Sequence, residues 1–330
     1  MNRQLSRRSF LAAGSAAVIC GCATDGPRVL VETHKHLYAD DRERFPYHPN
    51  ALGHPGPQTV EEYGRFLQEA GIAYAVIVHP EPYQDDHRYL EYCFEKEPAP
   101  GVLKGTCLFD PIDPETPARM ERLARDNPKR IVAIRIHSTR LPSEPPSRSG
   151  PIRDRDLDDP ALKATWRKAH SLGMAVQMHF HPQFAGKVGE LAEEFPDCPV
   201  ILDHLGHAGV GGAEPDGSRY RHKSVPWGYD DMADFEGVVR LARHRNVYMK
   251  YSGQRYSSKQ DFPHDDLKPL VRRLFDAFGP DRMIWGGLGF TMEEFRKASE
   301  LFDRMFEFAS TGDRDKIRGL TAQRLFGFGA

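Results

Sequence analysis

Eight times along this chain a short β-branched run gives way to an amphipathic helical stretch, and that alternation restricts the fold more than any other feature. The strand-like runs are Val29–His36, Tyr74–His79, Leu103–Asp110, Ile131–His137, Ala175–His181, Val200–Gly206, Val247–Ser252 and Met283–Gly286. Helical patterns lie near Val60–Ala70, Asp86–Lys96, Pro117–Asp126, Ala161–Leu172, Phe184–Phe195, Asp231–Arg243, Asp265–Phe278 and Phe295–Ala309, and a further helix near Asp313–Phe326 closes the chain. Strand–helix alternation argues for a parallel sheet, and eight units argue for a closed (β/α)8 barrel, the TIM barrel. The expected domain is single, residues 29–328 with the C-terminal helix included. An open doubly wound sheet would need a glycine-rich phosphate turn after the first strand, and Glu32-Thr33-His34-Lys35-His36 is not one.

The 330 residues are 39% hydrophobic and 28% charged with a net charge of −2, a globular balance that gives no support for nucleic acid as a partner. Residues 1–22 read as a leader. Ser6-Arg7-Arg8-Ser9-Phe10-Leu11 and the apolar run to Cys20 have the form of a twin-arginine export signal, and the run is too short for an ordinary membrane-spanning helix. Ile19-Cys20-Gly21-Cys22 also has the form of a lipobox, which makes Cys22 a lipidation candidate. The expected location is the periplasm, or the cell envelope through a lipid anchor, with no other membrane contact. Cys93, Cys107 and Cys198 form no legible disulfide framework and read as small buried residues. The pattern leaves a homo-oligomer open.

Chemistry concentrates at strand ends. His34 and His36 are spaced i, i+2, as are His179 and His181, and His204 sits near the end of the sixth run on the face of Leu202. In a barrel such ends converge, so His34, His36, His179 and His204 are expected to meet around one divalent ion. Neutral imidazoles suit zinc, manganese or iron. Three long loops follow strands: 37–57, 138–160 and 207–229. On a barrel's catalytic face such loops build binding sites.

The same residues carry a resemblance. Glu32-Thr33-His34-Lys35-His36, Phe45-Pro46-Tyr47, Ile134-Arg135-Ile136-His137, Gln177-Met178-His179 and Leu202-Asp203-His204-Leu205-Gly206 follow one another in an order similar to that of the amidohydrolase-related family. Lys250-Tyr251-Ser252-Gly253, Arg282-Met283-Ile284-Trp285-Gly286 and Ala322-Gln323-Arg324-Leu325-Phe326-Gly327 continue it to the end of the chain. The resemblance implies a barrel with one metal ion, or none as in some lactonases, and the branch includes lactone hydrolases and metal-dependent decarboxylases.

Two departures stand out. The family's last strand reads Trp-Gly-Ser-Asp, whereas here it is Trp285-Gly286-Gly287-Leu288, so Leu288 occupies the position of an Asp that binds metal or shuttles a proton. Glu32 replaces the family's customary Asp. With the strand-eight carboxylate gone, the expected base is His181, with His204, His137 and Glu32 as alternatives. Arg135 is expected to orient a carboxylate. Tyr47, Arg140, Arg221 and Trp227, with Arg219, Lys223 and Tyr229 nearby, are expected at the substrate. These features point to a hydrolase of a lactone or related ester of a small anionic compound. The rival readings are a decarboxylase and a binding protein or pseudoenzyme that keeps the pocket without the catalysis.

Overall fold

The computed structural model describes residues 29–140, 145, 152, 154–209 and 232–329. Eight strands, β1 (Val31–Lys35), β2 (Tyr74–Val78), β3 (Leu103–Cys107), β4 (Ile131–Ser138), β5 (Ala175–Phe180), β6 (Val200–Leu202), β7 (Val247–Tyr251) and β8 (Met283–Trp285), lie side by side in chain order. Every successive pair is parallel. Helices α1 (Val60–Ala70), α2 (Arg88–Glu95), α3 (Thr116–Asp126), α4 (Pro160–Ser171), α5 (Ala185–Glu194), α6 (Met232–Arg240), α7 (Lys268–Phe278) and α8 (Met292–Met305) return the chain between strands or follow the last one. This is the (β/α)8 barrel expected from the alternation. Among the described residues no helix is long and apolar enough to cross a membrane.

The helix ends follow from local chemistry. Thr59 and Glu62 form a capping box at the start of α1, and Thr291 with Glu294 repeats it at α8. The apolar faces of the helices bury against the outside of the barrel in one large cluster that includes Phe66, Trp166, Leu274 and Phe302.

Inside the barrel the strand period of two sorts the residues into layers. Val31, Val76, Ala133, Ala175, Ile201 and Ile284 form an apolar floor, plugged by Ala322, Phe326 and Phe328 from the C-terminal segment. Lys104 joins this layer and donates to the Phe326 and Gly327 carbonyls at 2.6 and 2.9 Å, satisfying the end of the last helix. Two residues further along β3 to β7 the series turns polar: Thr106, Arg135, Gln177, Asp203 and Lys250.

No β8–β1 ladder closes the sheet among the described residues, and side chains seal that seam. Thr33 Oγ1 donates to the Trp285 carbonyl at 2.7 Å. The buried Glu32 carboxylate accepts from the backbone N–H groups of His34, Gly287 and Leu288 at 2.6, 2.8 and 2.5 Å. Gly286 is required here, since a Cβ would stand 2.9 Å from both His34 Cβ and Thr33 Oγ1. Glu32 is therefore a structural clamp, and the expectation that it serves as a spare base is not met.

Two elements are shorter or more broken than expected. β6 stops at Leu202 because residues 204–207 enter the left-handed region, so His204 does not share a strand face with Leu202. The closing helix is three pieces: α9 (Thr311–Asp315), a π turn (Lys316–Leu320) and α10 (Thr321–Phe326).

Glu32→Ala is expected to cost about 3–5 kcal/mol, because three N–H groups lose a charged acceptor in a dry environment. Denaturant unfolding of both proteins checks this; an unchanged midpoint would mean the seam is held elsewhere.

Candidate active site

Asp203 lies at the centre of the polar layer and is fully buried. Its Oδ2 accepts from Arg135 Nε at 2.9 Å and from Gln177 Nε2 at 3.0 Å. Its Oδ1 faces Lys250 Nζ at 3.1 Å and His34 Nδ1 at 3.4 Å. Burial alone would raise this carboxyl's pKa, but Lys250, Arg135 and His34 outweigh it and hold the group well below the ordinary range. Lys250, with no exposed surface, is lowered by the same burial against the pull of Asp203. Arg135 engages Asp203 through Nε, and its two Nη groups make no hydrogen bond among the described residues.

Above this network a cavity of about 370 Å³ opens, lined by His34, His36, His204, Ser252, Tyr256 and Gly287 among others. His34 joins the two. It is held near pKa 4 by burial first, with Lys250 and Arg135 adding to the effect and Asp203 opposing it. His36 Nδ1 lies 2.7 Å from the Val78 carbonyl, which can only accept, so that nitrogen carries the proton and Nε2 is left as an acceptor. Burial also drives His36, His179 and His204 well below the usual histidine value, and Arg135 contributes at each. At neutral pH these imidazoles are uncharged.

The chain leaves β6 through a left-handed turn. His204, Leu205, Gly206 and His207 have φ of 52°, 57°, 67° and 55°. For the three that are not glycine this conformation costs roughly 1–2 kcal/mol each. What it achieves is placement: His204 and His207 both meet His179, with ring centroids at 5.6 and 4.6 Å, and stand 5.3 Å from each other. Gly253, itself at φ 63°, makes room, since a Cβ there would lie 2.6 Å from His204 Nδ1. That nitrogen instead meets Ser252 Oγ at 2.9 Å.

Two groups have ligand-type atoms all within 4.8 Å of one another: His34, Asp203 and His204, and His179, His204 and His207. The first does not suit a cation. Lys250 Nζ stands 3.1 Å from Asp203 Oδ1 and 3.4 Å from His34 Nδ1, so an ammonium already occupies that ground, with Arg135 beside it. The second is an all-imidazole set with neutral rings, and it does suit a borderline divalent ion.

The residues expected from sequence are only partly gathered here. His34, His36 and His204 share the cavity, and His179 adjoins His204, but the four do not form one ligand group. His181 stands apart: it is fully buried, and its Nδ1 accepts from the Gln183 N–H at 3.1 Å as a helix cap. The expectation that it is the base over the pocket is corrected accordingly. His137 pairs in register with His179, its ring 5.0 Å away. Tyr47 is committed to its own loop, donating to the Pro55 carbonyl at 2.8 Å, and Arg140 lies over Phe184 near Asp156; neither lines the cavity. Arg219, Arg221, Lys223, Trp227, Tyr229, Cys22 and the leader lie outside the described residues. Leu288 is fully buried in the large apolar cluster and does not line the cavity, because Gly287 at φ 84° turns the chain as β8 ends. Asp203, Lys250, His207 and Tyr256 were missed. The first three lie in or beside Leu202-Asp203-His204-Leu205-Gly206 and Lys250-Tyr251-Ser252-Gly253, whose order carries the resemblance, whereas Tyr256 had no sequence signal.

A parallel barrel whose histidines crowd the C-terminal strand ends around a buried carboxylate is a scaffold of the metal-or-imidazole hydrolase type. Residues 31–328 match the amidohydrolase family model Amidohydro_2, and the chain belongs to that family. It is 24% identical over 305 residues to a 4-sulfomuconolactone hydrolase of Hydrogenophaga intermedia, covering 90% of this chain and 88% of that one. It is 26% identical over 235 residues to an L-fucono-1,5-lactonase of Burkholderia ambifaria, covering 70% and 68%. An amidohydrolase from Burkholderia multivorans solved with bound zinc superposes with a TM-score of 0.67 at 16% identity, covering 91% and 99%.

Leu288→Asp, which would restore the family's residue, is expected to destabilise the fold by about 2–4 kcal/mol without raising activity. The new carboxylate would be buried on a residue whose N–H already meets the Glu32 carboxylate at 2.5 Å. Thermal unfolding and turnover on lactones check this, and a faster variant of undiminished stability would overturn it.

Proposed function

We propose that this chain is an exported hydrolase that opens a lactone, or a closely related ester, of a small anionic compound. The observation that carries the reading is the charge balance beneath the cavity. Asp203 meets two cations, Arg135 and Lys250, so the cluster keeps one positive charge in excess beside the neutral His34. Such a field favours a substrate bearing a carboxylate or sulfonate, although Arg135 itself lies in the buried layer and does not line the cavity. The relatives support the same reading, since by name both act on lactones and one on a sulfonated lactone.

In the reaction water adds to the lactone carbonyl, the ring C–O bond breaks, and a hydroxy acid leaves. His34 takes the proton from water, being neutral above pH 4 or so, and Asp203 Oδ1, 3.4 Å from its Nδ1, offsets the opposition of Lys250 and Arg135 to the imidazolium. The same imidazolium then returns the proton to the departing alkoxide. Arg135 and Lys250 lower the cost of the developing oxyanion through their field. A divalent ion held by the buried imidazoles would add Lewis-acid polarisation of the carbonyl. A binding protein that keeps the pocket is the second reading, favoured by Leu288, because no other carboxylate takes the lost Asp's place on the cavity wall among the described residues. A decarboxylase is weakened by the same substitution.

A panel of carboxylated and sulfonated lactones is the test. His34→Asn is expected to lower kcat/KM by about 10²–10⁴-fold. Activity needs neutral His34, so it should rise with pH through about 4 and level off above, not near the ordinary histidine value of about 6.5. Unfolded histidines take up protons first, so stability is also lost as pH falls from about 6.5 towards 4, and circular dichroism must accompany the rates. Tight binding of the panel with no turnover would favour the binding-protein reading.

Export rests on Arg7 and Arg8. Replacing both by lysine is expected to leave the protein in the cytoplasm, and Cys22→Ser to release it from the membrane fraction if that residue is lipidated. Unchanged periplasmic recovery of the double-lysine variant would point to another route.

A further inference from the structure

We infer that the chain holds its divalent ion on His179, His204 and His207, a set that differs from the His34, His36, His179 and His204 set expected from the converging strand ends. Two independent observations carry the inference. The position between His34 and Asp203 is already taken by a cation of the protein's own, the Lys250 ammonium, 3.4 Å from His34 Nδ1 and 3.1 Å from Asp203 Oδ1. A dication placed there would stand against Lys250 and Arg135 with no carboxylate at 288 to offset them.

The second observation is the left-handed turn. Three non-glycine residues in it hold positive φ, and its two histidines, His204 and His207, close on His179. Strain of that kind persists where a function uses it. His207 is fully buried, and neither of its ring nitrogens makes a well-formed hydrogen bond. The backbone carbonyl of Phe180 lies beside the ring and favours a proton on the nitrogen facing it. Ser252 Oγ does the corresponding service behind His204 at 2.9 Å. A ligating histidine is characteristically oriented by an oxygen at its back, as His204 is by Ser252, while the buried His207 ring has both nitrogens unsatisfied and so one to offer to an ion. Three neutral imidazoles and an open fourth position are the coordination that zinc takes at catalytic sites. The nitrogens, all within 4.8 Å of one another, need to close to about 3.3 Å for tetrahedral zinc, a shift within the reach of side-chain rotation. Of the three, His204 lines the cavity, which puts the group at its edge.

The inference shares the cavity with the hydrolase reading but does not depend on it, because its test reads the ion and not the reaction. The mature protein, stripped with chelator, is titrated with Co2+ and then Zn2+. One equivalent of Co2+ with the intense visible bands of a tetrahedral ion is expected. His207→Ala should weaken Zn2+ binding by at least about 10–100-fold, while His36→Ala should retain the equivalent. His207→Cys guards against loss of fold: it supplies a thiolate in place of the imidazole, so its Co2+ form should gain a sulfur-to-cobalt charge-transfer band. The inference is overturned if folded wild-type protein binds no ion, or if His36→Ala loses it while His207→Ala keeps it. It is equally overturned if the cysteine variant binds Co2+ without the charge-transfer band.

Discussion

A single carboxylate organises the upper half of this barrel. Asp203 is buried where a lone charge would be prohibitive, and it is tolerated because side chains from four strands converge on it: His34 from β1, Arg135 from β4, Gln177 from β5 and Lys250 from β7. Removing either cation would leave Asp203 undercompensated, and removing Asp203 would leave two buried cations facing each other. The cluster thus fixes the relative positions of strands that the backbone ladder alone holds only to neighbours. A buried ion cluster of this kind is a weak source of net stability and a strong source of geometric definition.

The fold was legible because its signal is repeated. Eight alternations of period two and period 3.6 leave one architecture, and no single misread element changes it. The histidines at strand ends were legible for the same reason, as a barrel carries strand ends to one face. What lay beyond reach were departures from period. His204 and His207 face inward through a left-handed turn that no alternation rule anticipates, and Gly287 at φ 84° takes Leu288 off the strand's course. His181 illustrates the reverse error: extending the strand rule one residue past Phe180 assigned it to the pocket, whereas the chain has already begun a 3₁₀ turn that it caps. Asp203 and Lys250 keep the period, and two-residue arithmetic from Ile201 and Tyr248 would have put them in the polar layer. In sequence neither carries the i, i+2 repeat that marks the strand-end histidines.

The two departures from the family pattern, Glu32 for Asp and Leu288 for Asp, are one structural change. The glutamate arm is a methylene longer, and with it the β1 carboxylate reaches the Gly287 and Leu288 N–H groups on the far side of an unpaired seam. Negative charge at the end of β8 is therefore supplied from β1 and spent on backbone donors, while position 288 is left apolar and buried. A second carboxylate there would repel the first. In the same barrel Lys250 stands, as a covalently attached cation, where a metal would otherwise meet Asp203 Oδ1 and His34 Nδ1. Around Asp203 and His34 the electrostatics are set by fixed groups, and the only all-imidazole candidate group among the described residues is the one the strained turn assembles. The buried Leu288 and the long reach of Glu32 are thus two sides of one contact, the Glu32 carboxylate on the Gly287 and Leu288 N–H groups.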